Sequence, residues 1–122
     1  SIDKAVAARL MVSDFNEDIA TMLVTRSLKE VDNGYQWRSD SRLKQLSPIR
    51  MMESQSIDII SNISNSTLVI LGDDGFESLR NNLAKRVLLF SSINTLSFSG
   101  GHHVHMEEPE LVWKSIEQHL TS

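Results

Sequence analysis

Apolar residues recur at helical spacing through the first quarter of the chain. Ile2, Val6 and Leu10 follow one another at steps of four, which predicts a short amphipathic helix over residues 2–11. Residues 13–16 form a polar break that can supply a helix cap. A second apolar stripe predicts a longer helix over residues 17–31, ended by the turn Asp32-Asn33-Gly34. We therefore expect an all-helical opening with no strand.

The remainder of the chain mixes helical spacing with strand-like runs. Thr67–Gly72 is an almost unbroken apolar run with β-branched members, which is typical of a parallel strand buried on both faces. Polar and apolar residues alternate over residues 95–99, as in a second strand. In chain order, the other predicted segments are an extended or irregular stretch over 35–43, a break at Ser47-Pro48, a helix over 52–63, a helix over 76–86 and a last helix that begins near Pro109.

A histidine-rich turn lies between the second strand and the last helix. Its sequence is Gly100-Gly101-His102-His103-Val104-His105-Met106-Glu107-Glu108-Pro109-Glu110. In open α/β sheets, ligands and catalytic groups collect at the carboxyl ends of the strands. Imidazole is also the side chain whose ordinary pKa suits proton transfer near neutral pH. The turn is therefore the first candidate for a functional site.

Composition limits the possible functions. The chain has 122 residues, a net charge of −4 and no cysteine, which is ordinary for a globular domain with a real core. Without a basic excess we expect no nucleic-acid partner, and no apolar run approaches the ~18 residues of a membrane span. The absence of cysteine excludes disulfides and fits a cytoplasmic protein, which is the location we expect.

Residues 100–109 form the pattern Gly-Gly-His-x-x-His-x-Glu-x-Pro, which resembles the catalytic-histidine turn of α/β-hydrolase-fold serine hydrolases. In particular, it is similar to the serine hydrolase-like group, which is related to haloalkane dehalogenases and epoxide hydrolases. The pattern Gly34-x-x-Trp37-Arg38-x-Asp40-x-Arg42-Leu43 and the run Thr67–Gly72 extend the similarity over nearly the whole chain.

The resemblance implies an α/β fold class, in the form of a helix-rich C-terminal fragment of an α/β-hydrolase. Residues 1–47 would be a helical lid-like segment. Residues 48–122 would be the C-terminal part of the hydrolase core, in the order helix, strand, helix, strand, histidine turn, helix. Two parallel strands with flanking helices are therefore expected.

The resemblance also implies roles for individual residues. His102 matches the catalytic base. Asp74 lies near the position of the catalytic acid, although Gly75 occupies the place where the acid usually falls, so the acid could instead follow an earlier strand outside this chain. Trp37 and His103 are candidates for substrate binding. For Trp37, packing of the lid-like segment on its own helices is the alternative, and for His103, a simple hydrogen-bonded surface position.

A serine hydrolase also needs a nucleophile on a Gly-x-Ser-x-Gly turn, and none of the five glycines brackets a serine in that pattern. Two hypotheses follow. The chain is the C-terminal part of an ester or acyl hydrolase, inactive alone and completed by a separate N-terminal half. Alternatively, it is a truncated or relic protein without catalytic activity that self-associates as a small dimeric domain, because two strands leave the edge of the sheet open.

Metal binding is a third hypothesis. His102, His103 and His105 could bind zinc or nickel. Neighbouring side chains of an extended segment point apart, however, so at most two of the three would converge. We therefore expect no metal site and no cofactor.

Overall fold

The structure is a computed structural model that describes residues 1–122. The chain divides into two compact units, Ser1–Ile49 and Arg50–Ser122. None of its helices combines the length and apolar character needed to cross a membrane.

The first unit contains two helices, a hairpin and a 3₁₀ turn: α1 (Ile2–Leu10), α2 (Glu17–Ser27), β1 (Leu28–Val31), β2 (Gly34–Trp37) and the 3₁₀ turn Ser41–Lys44. Asn16 caps α2, because its side-chain oxygen accepts a hydrogen bond of 3.0 Å from the N–H of Ile19. The predicted cap is therefore confirmed. The core of this unit is formed by buried side chains of α1, α2, β1 and the segment between the helices: Val6, Phe15, Ile19, Ala20, Val24 and Leu28.

The helix predicted over residues 17–31 is wrong beyond Ser27, where the chain turns into a hairpin. β1 pairs antiparallel with β2, from Leu28 opposite Trp37 to Val31 opposite Gly34. The two loop residues are Asp32 and Asn33, and Gly34, the first residue of β2, takes a φ of +130°, which favours glycine. The turn Asp32-Asn33-Gly34, for which the sequence predicts a helix end, instead forms the reversal of a hairpin, and the unit is not all-helical.

Arg38 fastens the hairpin to α2. Its backbone N–H donates to the carbonyl of Ser27 at 2.8 Å, and its Nε donates to the carbonyl of Leu28 at 2.8 Å. These two bonds satisfy carbonyl groups at the point where the helix becomes a strand.

The second unit contains α3 (Glu53–Ser61), β3 (Thr67–Gly72), α4 (Glu77–Arg86), a 3₁₀ turn (Val87–Leu89), β4 (Ile93–Phe98), α5 (Val104–Glu107) and α6 (Pro109–Thr121). β3 and β4 are parallel, with Thr67 opposite Ile93 and Gly72 opposite Phe98. The predicted α/β class with two parallel strands and flanking helices is confirmed. β4 begins two residues before the predicted limit, whereas β3 has the predicted limits and α6 begins with Pro109 in its first turn.

β3 is less buried than its apolar sequence predicts. Thr67–Leu71 are all half-buried and only Gly72 is buried. The sheet has two strands, so β3 has β4 on one edge and no strand of this chain on the other. α6 packs against β3, and Nε2 of His119 lies 3.3 Å from the carbonyl oxygen of Ser66, just before the strand.

Candidate functional site

The turns that follow β3 and β4 are joined to each other at the carboxyl edge of the sheet. The N–H of Asp73 donates to the carbonyl of Phe98 at 2.9 Å, and the N–H of Asp74 donates to the carbonyl of Gly100 at 2.9 Å. Backbone pairing therefore continues past the ends of the strands. It holds the segment with Asp74 directly beside the turn with His102.

Two glycines allow the turns to approach closely. A Cβ atom added at Gly72 would overlap the carbonyl oxygen of Gly101. A Cβ atom at Gly75 would lie 3.4 Å from both the backbone nitrogen and the Cα of His102. The backbone of the first turn therefore rests directly against the histidine turn, with no room for a larger residue at Gly72.

His102 lies where the sequence predicts it, immediately past the Gly-Gly turn that follows β4, and its side chain is exposed. The imidazole stacks on the ring of Phe76, with ring centroids 4.5 Å apart and planes at 26°. The two rings border a cleft of about 60 Å³ that is also lined by Leu71 and Arg80. That volume suits a few water molecules at most, so the cleft itself is no substrate pocket.

Glu107, near the end of the histidine turn, binds back to the start of the same turn. Its Oε2 accepts a hydrogen bond of 2.6 Å from the backbone N–H of Gly101. Gly100 has a φ of +133°, and a Cβ atom there would lie 2.6 Å from the same oxygen. In the sequence, Glu107 stands out only as a member of the histidine-rich turn. No sequence pattern indicates this bond, because every residue other than proline offers the same backbone N–H group.

Arg80 holds the turn that follows β3, and sequence reasoning missed it. Its Nη1 lies 2.6 Å from the carbonyl oxygen of Gly75, 2.9 Å from that of Asp73 and 3.4 Å from that of Gly72. No periodic pattern points to an arginine that binds backbone carbonyls five to eight residues earlier in the chain.

The three histidines of the turn lie near one another without forming a metal site. The ring centroids of His102 and His103 are 5.3 Å apart in an edge-to-face arrangement, and those of His103 and His105 are 5.8 Å apart. No group of three or more histidine, aspartate or glutamate side chains is arranged to hold a metal ion. His103 is half-buried, and its role in substrate binding stays a prediction.

Asp74 and Trp37, the other two candidates, belong to different units of the chain. The Asp74 side chain is exposed at the same edge of the sheet as His102. Trp37 belongs to the first unit, is 46% exposed and lines an open cleft of about 420 Å³ with Leu28 and Tyr35. The roles of catalytic acid and substrate contact remain predictions for them.

No family profile matches the chain, but individual proteins do. It is 27% identical over 120 residues to a serine hydrolase-like protein of Danio rerio, a match that covers 92% of this chain and 37% of that protein. A crystal structure of a hypothetical protein of Pseudomonas aeruginosa has a TM-score of 0.75 and 25% identity, over 88% of this chain and 38% of that one. The thioesterase domain from the curacin biosynthetic pathway has a TM-score of 0.70 and 19% identity, over 99% of this chain and 43% of that one.

These similarities establish the fold. The chain has the fold of the C-terminal part of an α/β-hydrolase, and it spans about two fifths of the length of the proteins that it matches. The resemblance that the histidine turn indicated is confirmed at this level.

Proposed function

We propose that the chain provides the general-base side of a serine hydrolase active site, with His102 as the base. The reaction would be hydrolysis of an ester or related acyl bond. The observation that carries the proposal is the exposed imidazole of His102 at the carboxyl edge of two parallel strands, on a turn whose backbone is held from both sides. The similarity to a serine hydrolase-like protein supports the same choice.

The chemistry assigns His102 two proton transfers. As a general base, its imidazole would remove the proton from a serine hydroxyl while that oxygen attacks the acyl carbon. The same nitrogen would then give the proton to the departing alkoxide or thiolate. Water would release the acyl group from the serine by the same route. An exposed ring in a fixed backbone is suited to both steps, because it can reach a reacting group that another segment presents.

The serine must come from residues outside these 122, because the chain has no Gly-x-Ser-x-Gly turn. We therefore propose that the chain alone does not hydrolyse esters. Asp74 is the proposed acid that would orient His102 and stabilise its protonated form. The hydrogen bond between Asp74 N–H and the Gly100 carbonyl supports this role, since it ties the two turns together.

The experiment compares the 122-residue chain alone with the same chain joined to the residues encoded immediately upstream of it. Hydrolysis of p-nitrophenyl acetate, p-nitrophenyl butyrate and an acyl thioester is measured for both. We expect activity only in the longer protein, and a loss of at least ~10²-fold in kcat for His102→Ala. His105→Ala is the matched control, because His105 is an exposed histidine of the same turn. An active protein unaffected by His102→Ala contradicts the proposal.

The alternative is a non-catalytic protein that self-associates through the open edge of β3. The half-buried state of Thr67–Leu71 favours it, because an unpaired edge beside apolar side chains is a template for another strand. Light scattering on the purified chain would then give a dimer at micromolar concentration, and neither form of the chain would hydrolyse esters. A monomer at that concentration contradicts this alternative.

A further inference from the structure

We propose that Arg80 is a positioning residue for His102 and acts through the turn that follows β3. Arg80 is on α4 and makes its hydrogen bonds to three backbone carbonyls of that turn, those of Gly72, Asp73 and Gly75. The consequence for catalysis rests on the proposed function, whereas the effect on the geometry of His102 is a property of the chain itself.

Three contacts connect the arginine-held turn to His102. The N–H of Asp74 donates to the carbonyl of Gly100, two residues before the histidine. Gly75 abuts the backbone of His102. Phe76, the next residue, places its ring against the imidazole at a centroid distance of 4.5 Å. A shift of residues 73–76 would therefore move the surface on which the imidazole rests.

The turn depends on Arg80 because three carbonyl groups of the turn point toward the same place, which Nη1 of the arginine occupies. Nη1 carries two hydrogens and lies within 2.6–3.4 Å of three carbonyl oxygens, so one cationic group satisfies acceptors that would otherwise repel one another. The guanidinium group keeps its charge at every relevant pH, and one of its nitrogens makes all three contacts, so the turn requires a charged N–H donor at that single point. No side-chain cap supports the start of α4, whose N-cap residue is Phe76.

The first test measures the ring of His102 directly in the 122-residue chain. The ring current of the stacked Phe76 side chain shifts the NMR resonances of the His102 ring protons. The variant Phe76→Leu removes the stack and so gives the reference resonances of an unstacked His102 ring. We expect Arg80→Met to move these resonances most of the way to the Phe76→Leu positions. Arg86→Met is the matched control, because Arg86 is on the same helix and pairs with Glu53 rather than with the turn. Unchanged His102 resonances in Arg80→Met, or an equal change in Arg86→Met, overturn the proposal.

Chemical rescue separates positioning from general loss of structure. In Arg80→Ala, added guanidinium ion at low millimolar concentration can occupy the vacated site between the carbonyls. We expect it to return the His102 resonances toward those of the unmodified chain, while an equal concentration of tetramethylammonium ion, which has charge but no N–H donor, does not. Arg80→Lys is expected to retain the fold with an intermediate His102 signal. If Arg80→Met gives no folded spectrum, recovery of the Arg80→Ala spectrum by guanidinium supports the proposal, and no recovery overturns it.

The catalytic readout uses the longer, active protein. Arg80→Met should lower kcat by roughly 10- to 100-fold, because small misplacements of a reacting group are costly, and should leave KM nearly unchanged. If no form of the protein hydrolyses esters, the proposed function fails while the NMR experiment still decides the role of Arg80. If His102→Ala abolishes activity but Arg80→Met changes neither kcat nor the resonances, only the inference about Arg80 fails.

Discussion

The N–H of Gly101 donates a hydrogen bond of 2.6 Å to Oε2 of Glu107, which brings the end of α5 back to the start of the histidine turn. The acceptor is a carboxylate, so the bond is charge-assisted and stronger than one between neutral groups. Val104, inside the loop that this bond closes, is buried. The turn is thus held by one polar contact and one apolar anchor, and His102 lies between them in sequence.

We expect Glu107→Ala to lower the free energy of unfolding of the second unit by about 1–2 kcal/mol, because it leaves the Gly101 N–H without its charged acceptor. Glu107→Gln should cost less, since its amide oxygen still accepts. The measurement is urea unfolding followed by Trp113 fluorescence in a Trp37→Phe background, so that the single remaining tryptophan reports on the second unit. Glu108→Ala is the control, with an expected change of about 0.5 kcal/mol or less.

Gly72 is the position at which a single methyl group should do the most harm. Gly72→Ala would push a Cβ atom into the carbonyl of Gly101, and neither backbone segment can move without breaking the bonds that join the two turns. We expect a loss of about 4 kcal/mol or more, or failure to fold. The same fluorescence experiment measures it.

Gly34→Ala separates steric overlap from backbone strain. Gly34 has a φ of +130°, but a Cβ atom there would meet nothing within 4 Å. Only the unfavourable backbone conformation contributes, at about 1–2 kcal/mol. Trp37 fluorescence in a Trp113→Phe background measures this change in the first unit. Equal losses for the two glycine substitutions would contradict the close approach at Gly72.

The pKa of Asp40 offers a test of the 3₁₀ turn. Hydrogen bonds from the Arg42 side chain, and then from its backbone N–H, hold the pKa of the Asp40 carboxyl below its ordinary value. Because the folded pKa is the lower one, the associated stability is present above the unfolded pKa and is lost as the pH falls through the folded pKa. The pair is exposed, so this contribution is small.

An NMR titration of the Asp40 carboxyl carbon is the direct measurement. We expect Arg42→Gln to return the pKa of Asp40 toward its ordinary value. The glutamine side chain is shorter and uncharged, and it lacks the Nε and Nη2 donors that bind the carboxylate. Lys44→Gln removes a charge from the same turn without touching the Asp40 carboxylate, and it should leave most of the shift in place. If the pKa of Asp40 is the same in Arg42→Gln and in the unmodified chain, the pair does not form in solution.

Local sequence patterns predict correctly those elements whose residues fit one type of secondary structure and no other. Thr67–Gly72 combines β-branched residues with a continuous apolar run, and its limits agree with those of β3. The hairpin was missed because Leu28 and Val31 continue the apolar spacing of α2, so the same residues fit a helix. Only the pairing of β1 with β2 across the loop Asp32-Asn33 decides for strands.

The residues that hold the backbone of the candidate site could not be predicted from local patterns, for a different reason. Arg80 and Glu107 act through hydrogen bonds to backbone carbonyl and N–H groups, and such groups are present at every residue, so the sequence does not identify which ones are bound. Phe15 is 5% exposed although it lies in a stretch that reads as a polar break. Its ring belongs to the core of the first unit, and the guanidinium carbon of Arg9, on α1, lies 5.6 Å from the ring centroid.

The ion pair between Glu53 and Arg86 joins α3 to the end of α4, and its strength follows from its exposure. The oxygen and nitrogen are 2.6 Å apart, with the Arg86 side chain 30% exposed and that of Glu53 64% exposed. Two hydrogen bonds connect the groups, from Nε and Nη2 of the arginine. A double-mutant cycle with Glu53→Gln and Arg86→Met should therefore give a coupling free energy of about 0.5–1 kcal/mol, at the upper end for exposed pairs.

Salt separates the electrostatic part of that coupling from packing. At 1 M NaCl the screening length is about 3 Å, and we expect the coupling free energy to fall to roughly half. Trp113 fluorescence in the Trp37→Phe background follows unfolding of all four proteins of the cycle. A coupling free energy that does not change with salt would mean that the two hydrogen bonds from Nε and Nη2 carry it rather than the net charges. The opposite charges of Glu53 and Arg86 would then contribute nothing to the contact between α3 and α4.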